Sequence, residues 1–308
     1  MNTILVVTDF TIRAQQAAEF ALQIAIKTEA DLVLCHAIEI VDDEDEAEKL
    51  SWPIADNIAL KQDSLMDLRD LSKHLKKLAI EEVTSYQPAI TCVSEFGKLA
   101  PVTANLVKEK NVDLVVMGAH KSTGFNRFLM GSHTHEILDK VNCPVLLLPE
   151  GLNMTQLSTI TYATDLTFSD TLVISYLAKI ASAFNAEILV SHISPKGFEG
   201  LNSGKVLLRT LKELHPEGKP QISYINIKGD NVVKCLTQLT TSSRPGLLTL
   251  VHKRYGFLQG LFHSSISKKL ADTAKMPLLV MPYSFSINVT DLTNELIERY
   301  SYNTDELR

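Results

Sequence analysis

The chain says the same thing twice, and any fold proposed for it has to accommodate both copies. The first copy opens with ILVVTDF at Ile4–Phe10 and closes with VVMGAHKSTGFNRFLMGSHT at Val115–Thr134. The second opens with ITYATDL at Ile160–Leu166 and closes with LTLVHKRYGFLQGLFHSSIS at Leu248–Ser267. Asp9 and Asp165 stand 156 positions apart, as do His36 and His192, whereas Gly124 and Gly256, like Ser132 and Ser264, stand 132 apart. Offsets that hold inside each block are the mark of a duplicated unit. Their single change places extra length in the first copy after its second strand, where VDDEDEAEKLSWP occupies Val41–Pro53. This acidic insert, about 41–57, reads either as a solvated loop or as a docking segment for a basic partner.

Within each copy, apolar β-branched runs alternate with amphipathic stretches, which points to β-α units around a mainly parallel sheet. The first copy predicts strands at Thr3–Thr8, Ala30–Ile38, Ala89–Glu95, Asp113–Gly118 and Pro144–Leu148, with helices near Ile12–Thr28, Ile58–Ser85, Ala100–Lys110 and Ser132–Val141. The second predicts strands at Thr159–Ala163, Ala186–Ile193, Gln221–Ile227, Gly246–Val251 and Pro277–Met281, with helices near Thr171–Phe184, Ser203–Leu214, Val232–Thr241 and Ser264–Ala274. Runs such as LVVM imply burial on both faces, as a parallel sheet requires. The 308 residues then divide into a first domain at 1–150, a second at 151–284, and a tail at 285–308 that matches nothing in the first copy.

Composition narrows the function. A hydrophobic content of 45% with 21% charged residues is ordinary for a packed globular chain, and the net charge of -6 gives no general attraction to nucleic acid or anionic lipid. Met1-Asn2-Thr3 runs straight into a strand pattern without a basic, apolar leader, and no apolar run nears the roughly 20 residues that span a bilayer. Cys35, Cys92, Cys143 and Cys235 are scattered with no CxxC pair, which favours reduced, buried thiols and a cytoplasmic location.

The candidate site follows from strand ends. Asp9 lies just past the first strand, Ala37 at the end of the second and Gly118 at the end of the fourth, so they converge where open α/β sheets bind ligands. The loop Gly118–Gly131 leads into a helix at Ser132, whose free N–H groups attract phosphate. The same loop also reads as an ordinary strand-to-helix turn. His36 and His192 read first as polar residues hydrogen-bonded near the crevice, with a ligand contact as the other reading. His120, His133 and His135 lack ligand spacing for zinc, because side chains two apart at a helix start diverge. No Gly-x-Ser-x-Gly elbow and no Walker-type loop occurs.

These residues resemble the universal stress protein family, over both copies but not over the acidic insert or the tail. The family's fingerprint is an Asp after the first strand, then Gly-x-x-Gly, nine residues, and Gly-Ser or Gly-Thr. Here Asp9, Gly118-Ala119-His120-Lys121, Ser122–Met130 and Gly131-Ser132 keep that spacing, with Lys121 in place of the second glycine. The resemblance implies two tandem Rossmann-like domains of the adenine nucleotide alpha hydrolase type, with Pro144–Leu148 and Pro277–Met281 pairing across their interface. It implies an ATP or AMP pocket lined by Asp9, Ala37, Met117, Gly118, Lys121, Gly131, Ser132 and His133, with magnesium as the companion of a triphosphate. Lys121 would either crowd the loop or pair with a phosphate.

In the second copy, aligning on Gly256 and Ser264 sets Leu250 at the Gly118 position and His263 at the Gly131 position, which removes two close backbone approaches. Asp165, His252, Lys253, Ser264 and Ser265 form a candidate anion site there. The leading expectation is a stress-response protein that senses or stores an adenine nucleotide in its first half. An adaptor acting through protein contacts, as a homodimer or with another partner, is the second reading. A nucleotide hydrolase, at most a slow one, is the third, since the chain shows no base, arginine finger or metal-binding carboxylate pair of the kind phosphoryl transfer uses.

Overall fold

The computed structural model describes residues 1–39, 54–82, 86–119, 132–151, 157–164, 166, 170–194, 220–231, 234–236, 246–252 and 276–282. Its first half runs β1 (Thr3–Val7), α1 (Ile12–Thr28), β2 (Asp31–Ile38), α2 (Ile54–Glu81), β3 (Ile90–Phe96), α3 (Leu99–Glu109), β4 (Leu114–Gly118), α4 (Ser132–Lys140) and β5 (Val145–Leu148). The second half runs β6 (Thr159–Thr164), α5 (Asp170–Phe184), β7 (Glu187–Ser194), β8 (Ile222–Lys228), β9 (Gly246–His252) and β10 (Leu278–Pro282). All ten expected strands are present, each within a residue or two of its expected bounds. Helix α2 starts earlier than the apolar periodicity alone predicts, directly after Pro53, because a helix N-terminus has orphan N–H groups and tolerates a neighbouring proline. The helices expected at Ser203–Leu214 and Ser264–Ala274 lie outside the described residues. Of that expected at Val232–Thr241, residues 234–236 are helical.

The strands form a single sheet in the order β3-β2-β1-β4-β5-β10-β9-β6-β7-β8. Every pairing is parallel except β5 with β10, where Leu147 faces Leu278, Leu146 faces Leu279 and Val145 faces Val280. That antiparallel seam joins the two halves, as expected for Pro144–Leu148 and Pro277–Met281. Along β1 the side chains alternate between two buried cores, Ile4 and Val6 on one face and Leu5 and Val7 on the other. The first core takes α1, α2 and α5, through residues such as Ala17, Leu68 and Leu177, and the second takes α3 and α4, through Leu106 and Ile137. Burial on both faces explains why the strands are apolar throughout.

Helices α1 and α5 also meet across the seam. Phe20 and Phe184 stack with centroids 6.3 Å apart, Lys27 Nζ lies 5.2 Å from the Phe184 ring centre, and the Tyr176 hydroxyl donates to the Asp113 carbonyl at 3.1 Å. In the first half the strand order reverses direction between β1 and β4, and that switch point opens a crevice beyond their carboxyl ends.

Candidate functional site

Four chain segments build the crevice: the β1–α1 turn, the end of β2, the start of α3 and the end of β4. In the β1–α1 turn, Thr8 Oγ1 accepts from the Phe10 N–H at 3.0 Å and holds Phe10 in the left-handed region at φ 60°. A bulky residue adopts that conformation only where its surroundings enforce it. The kink carries Asp9 to the mouth of the crevice, where its Oδ1 accepts from the Thr11 N–H at 3.1 Å and from the Thr11 hydroxyl. Thr11 is the N-cap of α1, its hydroxyl accepting from Ala14 N at 3.3 Å. Asp9 Oδ2 lies 3.8 Å from the Arg13 guanidinium one turn along.

At the end of β2, His36 Nδ1 lies 2.8 Å from the Thr8 carbonyl, and its ring packs on Phe10 with centroids 4.6 Å apart. Glu39 Oε1 accepts from the Leu99 N–H at 3.1 Å and so caps the start of α3. Cys35, below this rim, has its thiol pushed up to about 12 by burial and then by the Glu95 charge, which keeps it protonated and unreactive. From β4 come Met117 and Gly118. A Cβ on Gly118 would stand 3.1 Å from the backbone of Arg13, so a larger residue here would have to push α1 away from β4.

Together Val7, Thr8, Asp9, Thr11, Ala14, His36, Ala37, Glu39, Leu99, Met117 and Gly118 enclose about 290 Å³, at the lower end of small-molecule sites. Apolar Val7, Leu99 and Met117 offer a surface for a flat ring. Besides the hydroxyls of Thr8 and Thr11, the polar side chains on this wall are Asp9, Glu39 and His36, which are predominantly hydrogen-bond acceptors. Such a wall suits hydroxyl and amino groups and repels anions.

Of the residues singled out from the sequence, Asp9, Ala37, Met117 and Gly118 meet at this cleft. Ser132 and His133 open α4. Lys121 and Gly131 lie outside the described residues, as do Asp165, Lys253, Ser264 and Ser265. The backbone of His252 ends β9. Ala14, Thr11 and Glu39 were not anticipated. The constant offset of 156 carried a signal for the first of them, because it pairs Ala14 with an aspartate, Asp170.

The second half keeps the frame with larger residues on it. His192 Nδ1 lies 3.0 Å from the Thr164 carbonyl, and Leu166 repeats the left-handed turn at φ 63° with its N–H 2.8 Å from Thr164 Oγ1. The strand register corrects the sequence alignment by one residue. Val115 of β4 pairs with Leu5 and Val145, while Leu248 of β9 pairs with Thr161 and Leu278. The residue equivalent to Gly118 is therefore Val251, not Leu250, the single-residue shift falling in the loop after the strand. Asp170 takes the place of Ala14 and Ile193 that of Ala37. Asp170 is 3% exposed, and its Oδ1 accepts from the Tyr162 hydroxyl at 2.7 Å and from the Thr164 hydroxyl. Three small residues of the first crevice have thus become three larger ones.

Fold and crevice together define a doubly wound α/β protein made of two repeated units, one with an open switch-point cleft. Residues 1–149 match the model of the universal stress protein family, and this half of the chain belongs to that family. A universal stress protein of Methanocaldococcus jannaschii is 23% identical over 145 residues, 47% of this chain and 80% of its own. Among solved structures, a universal stress protein of Archaeoglobus fulgidus superposes with a TM-score of 0.63 at 15% identity, over 91% of this chain and 96% of its own. A functionally unknown protein of Pseudomonas aeruginosa gives 0.60 at 15% identity, over 96% and 98%. At such identities these two likenesses speak for the fold of both halves and not for a ligand. No helix among the described residues is long and apolar enough to cross a membrane.

Proposed function

We propose that the first domain, residues 1–150, binds an adenine nucleotide, ATP or AMP, and that the protein acts in the cytoplasmic stress response as a sensor or regulator. The observation that carries this reading is the contrast between the halves: Ala14, Ala37 and Gly118 leave a cleft where Asp170, Ile193 and Val251 occupy the same frame. The acceptor-rich wall suits the ribose hydroxyls and the base amine. The phosphates then extend away from Asp9 and Glu39, toward the start of α4 at Ser132 and His133, where helix N–H groups favour anions. Lys121 and Gly131 complete this end of the site, with magnesium accompanying a triphosphate. The second domain, residues 151–284, serves as a partner that no longer takes a nucleotide. Its Asp165, His252, Lys253, Ser264 and Ser265 are assigned to another anion.

Denaturing freshly purified protein and identifying the released small molecule by mass spectrometry tests this directly. If nothing is released, and neither ATP nor AMP raises the melting temperature, the nucleotide reading fails. Asp9→Ala and Gly131→Glu should each abolish the thermal shift.

One observation favours the adaptor reading: two carboxylates and no cation line the described cleft. Under that reading the protein works through a homodimer or another partner, and stays indifferent to AMP.

A further inference from the structure

His36 offers the cleft more than a place in its wall. The Thr8 carbonyl 2.8 Å from Nδ1 can only accept a hydrogen bond, so Nδ1 carries the proton. In the neutral ring Nε2 is then an acceptor, and among the described residues it has no protein partner. The same tautomer is fixed in the second half by His192 and Thr164, at 3.0 Å. There the neighbouring positions hold Asp170, Ile193 and Val251. At His36 they hold Ala14, Ala37 and Gly118, and the ring lines an open cleft.

Resting on the nucleotide reading above, we propose that His36 is a binding residue: its neutral imidazole accepts, through Nε2, a hydrogen bond from a hydroxyl or amino group of the bound nucleoside. The duplicated clip to the threonine carbonyl sets the tautomer in both halves, and only the first half uses the acceptor it creates.

AMP affinity measured by calorimetry at pH 8 for the wild type, His36→Asn and His192→Asn tests the assignment. Asparagine keeps an N–H where Nδ1 stands and removes the Nε2 acceptor. We expect His36→Asn to bind AMP about tenfold more weakly than the wild type, and His192→Asn to track the wild type. Equal affinities of His36→Asn and wild type at pH 8, or an equal loss in His192→Asn, overturn the proposal. A second readout needs no variant. In protein labelled with nitrogen-15 histidine, the Nε2 resonance of His36 should move on adding AMP while Nδ1 stays protonated, and an unmoved Nε2 overturns the assignment. Should AMP bind none of the three proteins, the nucleotide reading itself is what fails.

Discussion

Gly118 and Arg13 approach so closely that a methyl group on the glycine would meet the arginine's carbonyl carbon and oxygen at 3.1 Å. Both are backbone atoms of the first turn of α1, so a flexible side chain cannot yield the space. Gly118→Ala should cost about 1 kcal/mol of stability and Gly118→Val about 1–3 kcal/mol, as overpacking usually does. Urea unfolding checks this. A Gly118→Val protein as stable as the wild type would show that α1 shifts freely over β4.

Asp170 should be among the most sensitive positions of the second half. Asp170→Ala strands the buried hydroxyls of Tyr162 and Thr164, for an expected loss of about 2–4 kcal/mol. Tyr162→Phe removes one donor and should cost about 1 kcal/mol. A double-mutant cycle between these two changes should show coupling; strict additivity would contradict the hydrogen bond.

Thr11 makes a smaller, local contribution. Thr11→Ala removes the N-cap of α1 together with the hydroxyl that holds Asp9, and should lower stability by about 0.5–2 kcal/mol. Thermal melts without nucleotide read this separately from any effect on binding.

Alkaline solution should weaken the fold. Burial, reinforced by the charges of Glu95 and Asp113, raises the thiols of Cys35 and Cys143 from the ordinary 9.0 to about 12. Between these values the unfolded chain has released protons that the folded chain retains. Stability is therefore whole below about pH 9 and declines as pH rises toward 12, by up to about 1.4 kcal/mol per pH unit for each thiol. Replacing both cysteines by alanine should flatten the slope measured between pH 9 and 10.5, whatever its effect at pH 8. An unchanged slope would locate the alkaline sensitivity elsewhere.

The fold was legible because parallel strands buried on both faces must be apolar along their length, and LVV, VVM and LLL satisfy that without ambiguity. Constant offsets revealed the duplication, since each repeated block retains its own spacing. Asp9 and Gly118 were visible as members of a motif, but the role of Gly118 against α1 was not, because sequence carries no distances. The Val251 correspondence needed the sheet register: a one-residue change in a loop leaves motif residues aligned while the strand before them slips. Glu39 escaped notice because a carboxylate after a strand looks like any solvated loop residue. Its meaning came from Leu99, sixty positions away. Lys121 and Gly131 are known from the motif alone.

The antiparallel seam between β5 and β10 has a directional consequence. Strands β1 to β5 all point one way and β6 to β10 the other, so the carboxyl ends of β1 and β6 emerge on opposite edges of the sheet. A molecule seated above Asp9 and whatever engages the far edge can never touch. Any influence of one on the other has to pass through the body of the protein, where α1 and α5 meet at Phe20 and Phe184.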